Sequence, residues 1–444
     1  MELGSIHGLQ HVAHGPLVGR IFWAACCALS WGAAALLVLS SYQSYQAEPI
    51  SFVVSTSYLG RATRLPAVSV CETRNDAKTA EVARRVFGEA FDLNKQELVH
   101  DVGFFGADAP YLEKTCGARA QRRKGAANCS GLDPGAVARE VRSSCAQTLL
   151  GCAGLAADCC ALFRPLRSEL GACLTLGAAP PSLGLLLGTQ EARVFVHSAA
   201  DVPSGSAREA GALALDVATG ERHELLVAVH ETRNDAGVEA VGEARRRCRF
   251  PWEGAPEPYD AYSYSACVVA CRRREQRALC NCTVPLLPGG APCDISGLLC
   301  VRAHYNKLAR LVAPWAPQQG GLKCDCPAGC EDLQLDAILH RKSALAPWAP
   351  AVVELRLDQP PSERYARVLV RSPLDLVVSC GSAFGLFVGA SLLSFVEIAY
   401  WLILRLRKGS RKTAKTGNVN QNSHVVAQHH RTVPDNFKLP VQYQ

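Results

Sequence analysis

The sequence predicts a membrane protein of the α+β class: two transmembrane helices flanking a large disulfide-rich extracellular domain with a β-sheet core and peripheral helices. Three observations carry this reading. Two long apolar runs, 21–47 and 376–396, hold no charged residue. Of 21 cysteines, 18 lie between Cys71 and Cys330. Between the runs, several short stretches alternate apolar and polar residues, the period-two pattern of half-buried strands.

The runs come first. A helix rises about 1.5 Å per residue, so roughly 20 residues cross a ~30 Å hydrocarbon core, and both runs are long enough. A secretory signal has a shorter apolar core, about 7–15 residues, behind a basic start. Here the first run is longer, and 19 residues with few charges precede Arg20. The expected boundaries are a cytoplasmic N-terminus at 1–20, a first span at 21–43, an extracellular domain at 44–372 and a second span at 373–404. The tail, 405–444, carries eight basic residues against Asp435 alone and opens as "RLRKGSRKTAK". Basic residues flanking a span stay cytoplasmic. Both termini are therefore expected in the cytoplasm of a plasma-membrane protein with membrane lipid around its two spans.

Within 44–372 the even number of cysteines suits an oxidising compartment. Two sequons, Asn128-Cys129-Ser130 and Asn281-Cys282-Thr283, make Asn128 and Asn281 candidate glycosylation sites. Strands are expected at 66–71, 223–230, 352–358 and 365–372, and "QPPSE" reads as a turn joining the last two into a hairpin that enters the second span. Helices are expected at 77–91, 136–150, 266–280 and 298–312, with a helical finger-like part over about 76–190. The run Arg272, Arg273, Arg274 reads as a solvated face, and an extracellular domain has no nucleic-acid partner to offer it. "ETRNDA" occurs twice, at 72–77 and 231–236, too short to be a repeat unit.

Ten cysteines crowd 248–330. Close-spaced cysteines can ligate zinc, but the spacings suit no single four-ligand set and histidines are scarce, so disulfides and no metal are expected. No zinc-hydrolase, phosphate-loop or nucleophile-elbow motif is present, so the chain does not read as an enzyme. In the second run Gly381, Gly385 and Gly389 recur every fourth residue, and Glu397 follows. A packing seam between spans explains such glycines but not a carboxylate. A conducting pore built by several copies explains both, since an intramembrane acid faces a water pathway and backbone carbonyls can replace an ion's water.

At these residues the chain resembles the degenerin/epithelial sodium channel superfamily, most closely the insect pickpocket-type subunits, over almost its full length. "SIHGLQHV" is similar to the family's cytoplasmic His-Gly gating motif, placing it on His7 and Gly8. "LPAVSVC", "RRCRFPWE", "YSYSACVVAC", "LCNC", "CDISGLLC", "CDCPAGC" and "RYARVLVRSPLDLVVSCGSAFGLFVGAS" resemble its entry strand, disulfide-rich thumb and approach to the pore. The resemblance implies the pairs Cys248–Cys330, Cys267–Cys326, Cys271–Cys324, Cys280–Cys300 and Cys282–Cys293. It places the selectivity filter on Gly389, Ala390 and Ser391, a pore acid on Glu397, and a gate region on Val378, Ser379, Gly381, Ser382 and Gly385. It further implies a homo- or heterotrimer of related subunits, sodium as the preferred permeant ion with no other cofactor, amiloride sensitivity, and an extracellular ligand among the stimuli.

This chain also departs from the pattern. Eight cysteines outside the thumb exceed the usual set and allow 105 connectivities. Val378 stands beside Ser379 where relatives carry small residues, and a bulky residue there would hold the gate partly open. "LPVQY" keeps Pro440 and Tyr443 of a ubiquitin-ligase docking motif but not its first proline. Two other functions remain: a non-conducting accessory or sensory subunit that needs a heteromeric partner, and a different two-span ligand-gated cation channel.

Overall fold

The computed structural model describes residues 11–12, 16–47, 49–55, 66–106, 108–118, 129–206, 211–312, 318, 320–331, 333–358, 364–389 and 391, with 393, 396, 399–400 and 403. The chain divides into two compact units, one of Met1–Gln43 with Leu374–Gln444, the other of Ser44–Pro373. In the first lie most of α1 (Leu17–Ala47) and α9 (Pro373–Val388). Among the described residues α1 is the one helix long and apolar enough to cross a membrane; α9 is apolar for 16 residues. Most of the expected second span beyond Val388, including Ala390 and Glu397, lies outside the described residues. So do His7, Gly8, Asn128 and the basic tail.

The larger unit is built on strands. They are β1 (Ile50–Ser55), β2 (Ala67–Arg74), β3 (Leu149–Ala153), β4 (Arg164–Ser168) and β5 (Gly171–Leu176). Next come β6 (Ser182–Leu187), β7 (Glu191–His197), β8 (Leu213–Ala218), β9 (Glu221–Asn234) and the short β10 (Cys248–Arg249). The last are β11 (Ala328–Gly329), β12 (Leu333–Ala344), β13 (Ala351–Leu357) and β14 (Arg364–Leu369). One sheet has the order β1-β14-β9-β13-β6-β3 with β12 also on β9, and a second has the order β4-β5-β2-β7-β8. Alternation does what the sequence promised. Val353, Leu355 and Leu357 of β13, with Leu225, Val227 and Val229 of β9, turn inward and meet Val68, Val194 and Val196 of the second sheet in one buried core. Each such side chain contributes about 1.5–3 kcal/mol by leaving water.

The 352–372 hairpin is not formed. β13 and β14 both run parallel to β9, along Arg222–Val227 and Glu231–Asn234 respectively. Val227 pairs with Ala337 as well as Leu357, and Glu231 with Leu333 as well as Arg364. Opposite β12, then, β13 and β14 occupy the same edge of β9 in succession. Period-two alternation identifies a strand without identifying its neighbour, and the intended turn, 359–363, lies outside the described residues.

The helices form a second core. The pieces are α2 (Asp76–Phe87), α3 (Leu93–Gly103), α4 (Pro110–Cys116), α5 (Pro134–Glu140), α6 (Tyr264–Cys280), α7 (Ile295–Ala303) and α8 (Tyr305–Ala309). Leu98, Val102, Leu112 and Val137 pack with Ala266, Val269, Leu298 and Val301. Starts are set by side-chain caps: Asn75, Asp92, Ser263 and Asp294 each accept from a backbone N–H of the first turn. The helix expected at 136–150 is broken. After α5 a separate turn at Cys145–Thr148 passes directly into β3, and strands occupy most of the chain from there to His197, so beyond Thr148 the finger-like part is mainly strand. The arginine run is corrected too. Arg272 is 6% exposed and donates to the Glu169 carboxylate at 2.7 Å, to Ser206 Oγ and to the Leu308 carbonyl, while Arg274 faces solvent. Consecutive helical residues are turned about 100° apart, so three in a row cannot share one face.

Candidate pore and the strands that lead to it

α9 begins on Pro373, whose missing N–H costs nothing at a helix start, has Asp375 in its first turn, and then carries no charge to Val388. Val378, Ser379, Gly381, Ser382 and Gly385 are all exposed. Positions 378, 382, 385 and 389 fall within one face at about 100° per residue. Among the described residues, nothing lies within 4 Å of where a Cβ would stand on Gly381 or Gly385. The other side of the helix does the packing: Phe384, Phe387 and Val388 close on Ala34 of α1. The glycine stripe therefore does not seat α1.

The helix ends where the filter was expected. Gly389 follows Val388 with φ 66°, in the left-handed region that favours glycine. Ending a helix strands the carbonyls of its last turn. One of them, Phe387 O, accepts a hydrogen bond from Ser30 Oγ of α1. Ser391 is exposed.

In the larger unit the strand before α9 is tied to the disulfide-rich segment. β14 pairs antiparallel with β1 from Ile50–Leu369 to Ser55–Arg364, so the strand that follows α1 and the strand that precedes α9 run side by side. Arg367 of β14 donates from Nη1 to the Cys330 carbonyl at 2.8 Å, lies 3.3 Å from Cys248 Sγ, and stands 5.3 Å over the Phe52 ring of β1. Asn234 at the end of β9 donates to the same carbonyl at 2.9 Å. Just before Cys248, Arg245 donates to the Tyr45 carbonyl at 2.5 Å and covers the Tyr45 ring at 4.1 Å. One end of the 248–330 segment is thus fastened to both strands and, through the adjoining Arg245, to Tyr45 in the last turn of α1. Sequence reasoning missed Arg367, Asn234, Arg245 and Ser30, because each acts through a partner distant in the chain.

All eighteen cysteines of this unit are paired. Cys248–Cys330, Cys267–Cys326, Cys271–Cys324, Cys280–Cys300 and Cys282–Cys293 join the segment internally. The remaining eight pair as Cys71–Cys173, Cys116–Cys129, Cys145–Cys160 and Cys152–Cys159. Cys280, Cys300 and His304 stand close enough to hold a metal, but both sulfurs are committed to one bridge. Asn281 is exposed in a left-handed cap after α6, while Thr283 of its sequon is buried and donates to the Ala291 carbonyl.

The described chain thus carries two apolar helices with a disulfide-rich unit between them in sequence, and the second helix ends at a left-handed glycine. The family model described as amiloride-sensitive sodium channel matches residues 2–401, and the chain belongs to that family. It is similar to sodium channel protein Nach of Drosophila virilis, 27% identical over 199 residues, covering 40% of this chain and 49% of that protein. It is also similar to the human bile acid-sensitive ion channel, 26% identical over 186 residues (34% and 35%). With pickpocket protein 19 of Drosophila melanogaster it shares 24% identity over 197 residues (40% and 39%). The chain spans about half the length of the curated relatives it matches, or less.

Proposed function

We propose that the chain is a subunit of a trimeric, sodium-preferring, amiloride-sensitive cation channel of the plasma membrane, gated through its extracellular domain, with both termini cytoplasmic. The observation that carries this is the exposed small-residue face of α9 ending in a left-handed Gly389. A face of glycine and serine lets three copies approach closely, and an interrupted helix frees backbone carbonyls to stand in for part of a sodium ion's water. In this reading Gly389, Ala390 and Ser391 form the constriction. Glu397 draws cations to its inner side, Val378 to Gly385 gate it, and His7 and Gly8 act from the cytoplasmic side. Movement of the disulfide-rich segment reaches the gate through Arg367 and β14, which leads into α9 along the chain, and reaches α1 through Arg245 and Tyr45.

The test is voltage clamp of cells expressing the chain alone and beside a related subunit, in sodium and then potassium, with amiloride added last. A sodium-preferring current blocked by amiloride supports the reading. Current only with the partner, and with selectivity unchanged by substitutions at Ser391, assigns this chain an accessory role instead.

A further inference from the structure

We infer that Ser30 is a positioning residue for the selectivity filter: its hydroxyl, presented by the first span, fixes the carbonyl of Phe387 and so sets where the pore helix breaks. The inference rests on the reading of Gly389–Ser391 as the filter.

Ala34, at 1% exposure, is the one buried residue along the 31 residues of α1. It packs on Val388, Phe384 and Phe387, so the first span touches α9 at its last turn, directly before Gly389. One turn earlier on the same face of α1, Ser30 Oγ donates to Phe387 O. The described helix ends at Val388, so this carbonyl belongs to the last turn, where the regular helical pattern of acceptance stops. In hydrocarbon an unmet carbonyl is costly, and two outcomes relieve it: continuing the helix, or turning the carbonyl toward water. Either would shift the residues that follow. Ser30 removes the pressure for both, from an element outside the pore helix. Serine is small enough to let the helices close over Ala34 and is the shortest side chain that carries an O–H donor. No other position in 17–39 can repeat the arrangement, because Ser30 alone in that stretch has a hydroxyl, and Ser40 stands ten residues away.

A single interhelical hydrogen bond in a membrane contributes about 0.6–1.7 kcal/mol, so the expected effect is modest and directional. The test is the sodium-to-potassium permeability ratio from bi-ionic reversal potentials, in cells where the full chain carries current alone or beside a related subunit. Surface abundance is measured in parallel by biotinylation. Ser30→Ala is expected to lower the ratio by about threefold and at most roughly eighteenfold at unchanged surface abundance. Ser30→Thr, which keeps the donor, is expected to restore it. Should Ser30→Ala abolish current, Ser30→Cys, a weaker donor of similar size, is expected to give an intermediate ratio. A wild-type ratio in Ser30→Ala, or a fall in surface abundance with no change in ratio, overturns the inference. Gly389→Ala separates the two readings. If it alters the ratio and Ser30→Ala does not, only the role of Ser30 fails; if neither alters it, the filter assignment fails as well.

Discussion

At φ 66° Gly389 occupies backbone space that costs an L side chain about 1–2 kcal/mol. Gly389→Ala is therefore expected to push the backbone toward a continuous helix. The outcome should be a several-fold lower sodium-to-potassium permeability ratio, or loss of current, at normal surface abundance; an unaltered ratio would speak against the break being part of the ion path. Arg367 supports a second prediction. Its guanidinium and the Asn234 amide share one acceptor, the Cys330 carbonyl. Arg367→Ala and Asn234→Ala are each expected to cost about 1 kcal/mol, and the double variant more than their sum, because only then does the carbonyl lose both donors. Thermal unfolding of the purified full chain measures this, and simple additivity would sink the shared-acceptor account. The four-residue glycine spacing marked one stripe of a helix, and the break at Gly389 was expected from the family resemblance alone. Arg367 could not be read from the sequence, since nothing in "RYARVLV" reveals that its partners are a bridge 37 residues earlier and the ring of Phe52. The second copy of "ETRNDA" gains a structural sense here as well. Both copies lie at the end of a strand with a buried glutamate, Glu72 or Glu231, followed by an asparagine with a structural bond: Asn75 caps α2, and Asn234 donates to the Cys330 carbonyl.

Strands were legible where side chains alternate, and pairing was not. β13 carried its pattern in full, yet its neighbours are β6 and β9 rather than β14, because a sheet's order is set by contacts between residues far apart in the chain. The helix expected across 136–150 failed for a related reason. Ser143 and Ser144 lie in its middle, and Ser143 N–H and Oγ are taken up by the Glu72 carboxylate, a partner that local propensity does not include. The eight cysteines outside 248–330 had no readable pairing, and the structure supplies it. Cys71 and Cys173 face each other directly across β2 and β5, 102 residues apart in the chain, whereas Cys116 and Cys129 close a loop of only 13. Cross-linking restrains the unfolded chain more as the closed loop grows, by about 4–5 kcal/mol for the longer and ~3 kcal/mol for the shorter. Paired serine substitutions at Cys71 and Cys173 are thus expected to lower the unfolding midpoint more than those at Cys116 and Cys129. Equal shifts, or the reverse order, would count against that assignment of the longer bridge.

Over the whole molecule, the two-sheet unit needs His197 neutral. Burial pushes its imidazole down to about 4, despite its hydrogen bond to the Ser198 carbonyl. Nδ1–H donates to that carbonyl, and Nε2 accepts from Ser69 Oγ at 2.7 Å. A depressed histidine contributes stability above the unfolded value near 6.5, and this is lost as pH falls toward 4, because the unfolded chain takes a proton that the folded chain refuses. The full chain should melt at a lower temperature at pH 5 than at pH 7.5, and His197→Gln should show a smaller difference between the two; an equal difference would remove His197 as its source. The division into apolar helices and a disulfide-rich unit was plain from charge and cysteine placement, since both reflect the solvent each segment meets. How the 248–330 segment is fastened to β14 and to Tyr45 was hidden, because the fastening consists of single side chains. The central claim is that ions pass the interruption after Val388. Cadmium block of a Ser391→Cys channel tests it most directly, with Leu386→Cys as the comparison on α9. The account predicts that micromolar cadmium stops sodium current through Ser391→Cys and leaves the unsubstituted channel unaffected. Full current through Ser391→Cys in cadmium, with block at Leu386→Cys instead, would contradict it.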